Sequence, residues 1–235
     1  MTARAAHHQP RHHLDEALLL DYAAGAAPEG AALLIASHLA LCPDCRALAT
    51  RLESLGGALM SDLPPSDLMP GARDAMMARL DEAPRQTPIR GSGTAAATAA
   101  PQLTPAIDLP QPIRDYLAAA ASDLSWRRLG PGVDHIELPL TGKGRVKESL
   151  RLLRVHSGYA IPRHTHDGSE MVLVLSGGFR DGAQDFLPGD VSVCDEHVDH
   201  SPRVPDEDCI CLWVTDAPLR FTGFVGRILN LFVRL

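Results

Sequence analysis

Between residues 13 and 83, apolar side chains return every three or four positions and never alternate, a period that predicts α-helices. The first helix is expected over residues 14–24, stopped by Gly25, and the second over 28–41, opened by Pro28, whose fixed φ suits a first helical turn. A third starts at Pro43, carries Leu48, Leu52 and Leu55 on one stripe, and weakens at Gly56 and Gly57. A fourth spans 71–82, beyond the break at Pro64 and Pro65. Four short helices of this kind predict a small bundle; Leu18, Leu19, Met76 and Met77 belong either to its core, the commoner use of such residues, or to a partner contact where the fold leaves them exposed.

The pattern changes twice further on. Residues 85–104, rich in Gly, Ala, Thr and Pro, hold too few large apolar groups for a core and predict a flexible tether. Past Ser125 come short segments such as VDHIELPL, SLRLLRVHSG, EMVLVLSGGF, DVSVCD and CICLWVTD, separated by Gly, Pro and Asp turns, as in a β-barrel or sandwich. The expected class is therefore α+β with two domains: a helical domain over 1–84, the tether, and a β-domain over 105–235. A length of 235 residues accommodates two such units, and 45% apolar with 22% charged residues is ordinary for a globular chain.

Charge narrows the choice of partner. The formal net charge is −7, and residues 1–84 hold six Arg and no Lys against eleven Asp and Glu, a balance of −5. Nucleic acid calls for a clustered basic surface, so a DNA-binding regulator ranks last and a basic protein is the better partner. The start of the chain has no apolar core followed by a cleavage site, and no stretch reaches the roughly 18 apolar residues of a membrane span. The final run from Phe221 carries Arg227 and Arg234. A cytoplasmic location is expected, and there five cysteines point to metal or redox chemistry rather than disulfides.

Two groups of residues carry that chemistry. His38, Cys42 and Cys45 form H-x3-C-x2-C, whose spacing places three zinc-type ligands on one face of a helical path. Pro43 makes Cys42 the N-cap of the third helix and puts Cys45 in its first turn, where the helix dipole favours thiolate. A tetrahedral zinc needs a fourth ligand; His13 is the first choice, His12 its rival, and His7 and His8 are more remote. In the second group, His164 and His166 share a strand face, Glu170 follows a turn, and His200 lies thirty positions further on. Gly177, Gly178, Pro188 and Gly189 are assigned to turns; Cys194, Cys209 and Cys211 stay open between packing and redox sensing, and the apolar CICLW setting lowers thiol reactivity.

The distant histidine followed by H-x3-C-x2-C resembles the zinc anti-sigma domain, and the blocks HTHDGSE, VLSGGF, DFLPGDV and HSP resemble the two motifs of a cupin. Together the halves are similar to the ChrR-type zinc anti-sigma factors, a resemblance covering nearly the whole chain. It implies a zinc held by His13, His38, Cys42 and Cys45, and a second metal held by His164, His166, Glu170 and His200 in a jelly-roll-like cupin barrel. That second metal is zinc by analogy, although manganese, iron and nickel suit the same ligands. The resemblance also implies a non-catalytic function. Such a protein sequesters an extracytoplasmic-function, sigma-E-type sigma factor in a 1:1 complex, blocks transcription initiation, and releases the factor under singlet oxygen or other reactive oxygen species. The competing expectation is a metal-dependent cupin dioxygenase.

Overall fold

The structure is a computed structural model that describes residues 9–80, 107–119, 124–141 and 148–222. The expected tether, His7, His8, Arg227 and Arg234 lie outside the described residues. Helix α1 covers Glu16–Ala23, α2 Glu29–Leu41, α3 Pro43–Ser61, α4 Ala72–Leu80 and α5 Gln111–Ala119. Asp15 caps α1 by accepting a hydrogen bond from the Leu18 N–H, and Gly25, at φ 69°, ends that segment. Cys42 is the shared hinge: it closes α2 and its sulfur accepts from the Cys45 N–H as the N-cap of α3.

Three expectations change. The third helix does not weaken at Gly56 and Gly57 but continues to Ser61, because flanking Leu, Ala and Met carry helix propensity across two isolated glycines. Leu19 of α1 is fully buried and takes the core position, not the partner-facing one. Leu55, counted with the stripe of Leu48 and Leu52, is 55% exposed, and α4 has no buried residue at all. Helix α5, in the segment expected to begin the β-domain, packs against α2 through buried Ile113 and Leu117.

The remaining chain is β-structure. A six-stranded antiparallel sheet takes the order β1-β2-β3-β9-β5-β8, from strands β1 Arg127–Gly130, β2 Val133–Glu137, β3 Ser149–Val155, β5 Glu170–Ser176, β8 Val191–Cys194 and β9 Cys209–Thr215. Two ribbons complete it: β4 His164–His166 with β10 Leu219–Phe221, and β6 Phe179–Asp181 with β7 Gln184–Phe186. The arrangement is a jelly-roll-like cupin domain. Strand β9 is buried at every position because both its faces are covered. Ile210, Leu212 and Val214 enter the core shared with the helices, while Cys209, Cys211 and Trp213 line the interior of the cupin.

Among the described residues the helices and the sheet share one core. One apolar cluster runs from Leu34 and Ile35 of α2 to Leu173 of β5 and Leu212 of β9. Polar contacts fix the same seam. Pro28 offers α2 no side-chain cap, and the Glu148 carboxylate supplies it from the β-domain by accepting from the Gly30 and Ala31 N–H groups at 2.9 and 3.2 Å. Gly30 eases this close approach, since a Cβ there would sit 3.2 Å from Val214 Cγ1 and 3.3 Å from Glu148 Oε2, and those side chains would have to shift by a few tenths of an ångström. Next in the chain, Glu29 accepts from the Tyr116 hydroxyl and from the Thr141 backbone and side chain.

Candidate metal centres

The helix junction gathers the first set. His13, just before α1, His38, in the last turn of α2, and Cys42 and Cys45, at the start of α3, bring one ligand atom each to within 4.8 Å of one another. His13 Nδ1 lies 3.3 Å from Cys42 Sγ and 3.5 Å from Cys45 Sγ. Those spacings suit the roughly 3.5 Å edge of a tetrahedron built on zinc–sulfur of about 2.3 Å and zinc–nitrogen of about 2.0 Å. His12 takes a different place, stacked on Phe186 at 4.2 Å with its Nε2 donating to the Asp185 carbonyl.

The donors themselves show the fit. A carbonyl only accepts, so His38 Nδ1, 2.8 Å from the Gly189 oxygen, carries the proton. Its Nε2 is thereby left as a buried lone pair with no hydrogen-bond partner, a costly state that an ion relieves. Burial lowers the pKa of His38 and pushes the Cys45 thiol up to about 11. A cation held by these residues would favour the thiolates over the thiols, so its loading would release protons.

The second set lies in the cupin. β4 presents His164 and His166 on the same side, β5 begins with Glu170, and His200 bridges back to His164 through paired backbone hydrogen bonds. All four are buried, with one ligand atom each inside 4.8 Å. His164 Nδ1 donates to the Pro162 carbonyl at 2.8 Å, and His200 Nδ1 donates to Asp181 Oδ2 at 2.7 Å. With both rings neutral, their Nε2 lone pairs face each other 3.1 Å apart, an arrangement that a cation between them would relieve. His166 Nε2 is also 3.1 Å from His200 Nε2, and Glu170 Oε2 approaches His166 and His200 at 3.8 and 3.9 Å. Burial holds His164 and His166 near pKa 4, neutral and ready to ligate, and it raises Glu170.

Sequence reasoning missed the groups that orient these ligands. Asp181 fixes His200, Trp213 donates to Glu170 Oε1 at 2.5 Å, and the Gly189 carbonyl fixes His38. Gly189 had been assigned only to a turn; its φ of 95° does serve one, yet its carbonyl crosses the seam to the helical site. Beside it, buried Asp190 accepts from the Arg11 and His12 N–H groups, and Val191, opening β8, donates to the His12 carbonyl. No local signal marks contacts between residues so far apart in the chain. Asp181→Ala is expected to weaken cupin metal binding about 10–100-fold while leaving the helical site loaded. Competition with a chelator, followed by metal analysis, checks it; unchanged cupin affinity would remove Asp181 from this role.

Comparisons with known proteins agree along nearly the whole chain. A family profile described as the ChrR cupin-like domain matches residues 115–219. The anti-sigma-E factor ChrR of Cereibacter sphaeroides is 39% identical over 227 residues, covering 96% of this chain and 99% of that protein. The crystal structure of Rhodobacter sphaeroides SigE in complex with the anti-sigma ChrR aligns at a TM-score of 0.69 and 37% identity, over 88% of this chain and 100% of the matched one.

Proposed function

Since the chain belongs to the ChrR family of anti-sigma factors, we propose that it binds an extracytoplasmic-function, sigma-E-type sigma factor 1:1 and keeps it from transcription initiation. One observation carries this reading. Of the thirteen large apolar residues exposed among the described residues, nine lie between Leu55 and Leu80, on the second half of α3, the following turn and α4. A concentration of this kind marks a protein-binding surface, and helices that expose apolar anchors suit a groove on a partner. The acidic balance of the helical segment complements a basic partner surface and favours rapid association.

The metal assignments belong to the same proposal. His13, His38, Cys42 and Cys45 hold zinc, and His164, His166, Glu170 and His200 hold a second ion, zinc or another divalent metal. Zinc, when bound, supplies the cross-link that fixes the entry of α1, the end of α2 and the start of α3 in one geometry. The chain's own residues do the rest: Cys42 turns α2 into α3, and α3 projects the apolar surface away from the shared core. Domain limits of 1–84 and 105–235 remain useful units of function, although their cores merge. Release under singlet oxygen or other reactive oxygen species, acting through the cupin, completes the reading.

No single helix among the described residues is long and apolar enough to cross a membrane, and we place the protein in the cytoplasm. A dioxygenase activity of the cupin is not favoured, because the relatives that span the chain are regulators. The test is co-expression with a cognate sigma factor: a stable equimolar complex that fails to support transcription is expected. Free sigma factor, fully active in the presence of the purified chain, would overturn the proposal.

A further inference from the structure

Methionine is unevenly placed along the chain. Of the five methionines among the described residues, Met60, Met69, Met76 and Met77 are exposed, from 55% to 80%, and Met171 of β5 is buried in the core. The four exposed ones all fall within the apolar surface between Leu55 and Leu80: Met60 near the end of α3, Met69 in the turn, and Met76 and Met77 on α4. The five cysteines, by contrast, are all buried. An oxidant arriving from solvent therefore meets thioethers before thiols, since oxidation follows access.

A thioether suits a docking surface because it is flexible and polarisable and fills irregular gaps on a partner. The same sulfur accepts oxygen. A hydroperoxide breaks its O–O bond, one oxygen bonds to the sulfur lone pair as a sulfoxide, and the other leaves with the proton as an alcohol or water; sulfur is oxidised by two electrons and the hydroperoxide reduced by two. On the free chain the new polar oxygen stays in water, because α4 buries no residue and the end of α3 is exposed, so the fold is not disturbed. Under a bound partner that oxygen has to give up its water, which costs affinity at least about tenfold where no donor replaces it. We propose that Met60, Met69, Met76 and Met77 form a reversible oxidation site: a hydroperoxide converts them to sulfoxides on the free chain and so blocks rebinding of the sigma factor. The inference rests on the reading of this surface as the sigma-docking face. In the complex the same sulfurs are covered, so their oxidation does not start release. It prolongs release until a methionine sulfoxide reductase, taking two electrons from a pair of thiols, removes the oxygen as water.

The test uses the full, metal-loaded chain, free and in complex with its sigma factor, and hydrogen peroxide as the oxidant. Peptide mass spectrometry counts oxygen at each methionine, and sigma affinity and bound metal are measured on the same samples. In the free chain the four exposed methionines are expected to oxidise before Met171, and in the complex at least about tenfold more slowly. Oxidation should lower sigma affinity at least about tenfold with the metal still bound, and methionine sulfoxide reductases acting on both epimers should restore it. The variant carrying Met60→Leu, Met69→Leu, Met76→Leu and Met77→Leu is compared only with its own untreated sample and should lose less than about twofold, having no sulfur left on this surface. Should that variant misfold, reversal by the reductases decides alone. Affinity unchanged by oxidation of the four, a loss that the reductases do not reverse or that the leucine variant shares, or equal oxidation rates free and bound overturns the proposal. In those events an untreated chain that binds the sigma factor leaves the anti-sigma reading standing, whereas an untreated chain that does not bind it takes both away.

Discussion

Replacing Cys42 and Cys45 together by serine is expected to abolish inhibition of the sigma factor and to lower bound metal from two ions per chain to one. These sulfurs sit at the bend between α2 and α3, both buried, and Cys42 also caps α3. Zinc binding at a structural site contributes folding free energy directly, on the order of 10 kcal/mol in small zinc domains. Its loss therefore exceeds what the neighbouring core contacts of Leu14 and Ala49 can replace. A decrease in sigma affinity of at least about 100-fold should follow, nearly 3 kcal/mol. Transcription assays with the purified pair measure it, and inhibition that survives loss of both sulfurs would refute a structural role for the ion. The cupin ion should stay in place, because no side chain is common to the two ligand sets.

The double substitution Leu59→Glu with Met76→Glu should break the complex without harming the free protein. Both side chains are largely exposed, 63% and 69%, so changing them removes little from the core and the melting temperature should move by only a degree or two. Placed at the centre of an interface, each buried charge costs about 2 kcal/mol or more, or roughly thirtyfold in affinity. The pair should take binding beyond detection at micromolar concentrations. Retained binding would mean that the sigma factor docks elsewhere on the chain. Leu19→Glu is the informative contrast: it strikes a fully buried position and should lower stability and binding together.

The two candidate metal centres are not independent bodies. A short path joins them: His38 bonds to the Gly189 carbonyl, Asp190 holds the backbone ahead of His13, and β8 continues from Val191 to Cys194 beside His200. A change at the cupin metal that shifts β8 therefore reaches the segment that positions His13 and His38. Such a route would give the proposed release through the cupin a physical basis, since packed interiors transmit displacement rather than absorb it.

Much of this was legible in the sequence wherever the signal is local. The H-x3-C-x2-C spacing, Pro43 after Cys42, the stop at Gly25 and the HTHDGSE block placed eight candidate ligands, and the structure gathers them in two groups of four. Helix period and strand segments likewise reflect forces acting within a few residues. What stayed hidden depends on distant partners: Glu148 capping α2, and Gly189 and Asp181 orienting histidines. The run CICLWVT shows why, because a strand covered on both faces loses the alternation that would reveal which side meets the helices and which meets the cupin interior. By itself the sequence named the eight candidate ligands and located most of the elements. Tertiary packing alone decided that helices and cupin share one core, for that outcome depends on surfaces meeting across more than a hundred residues of chain.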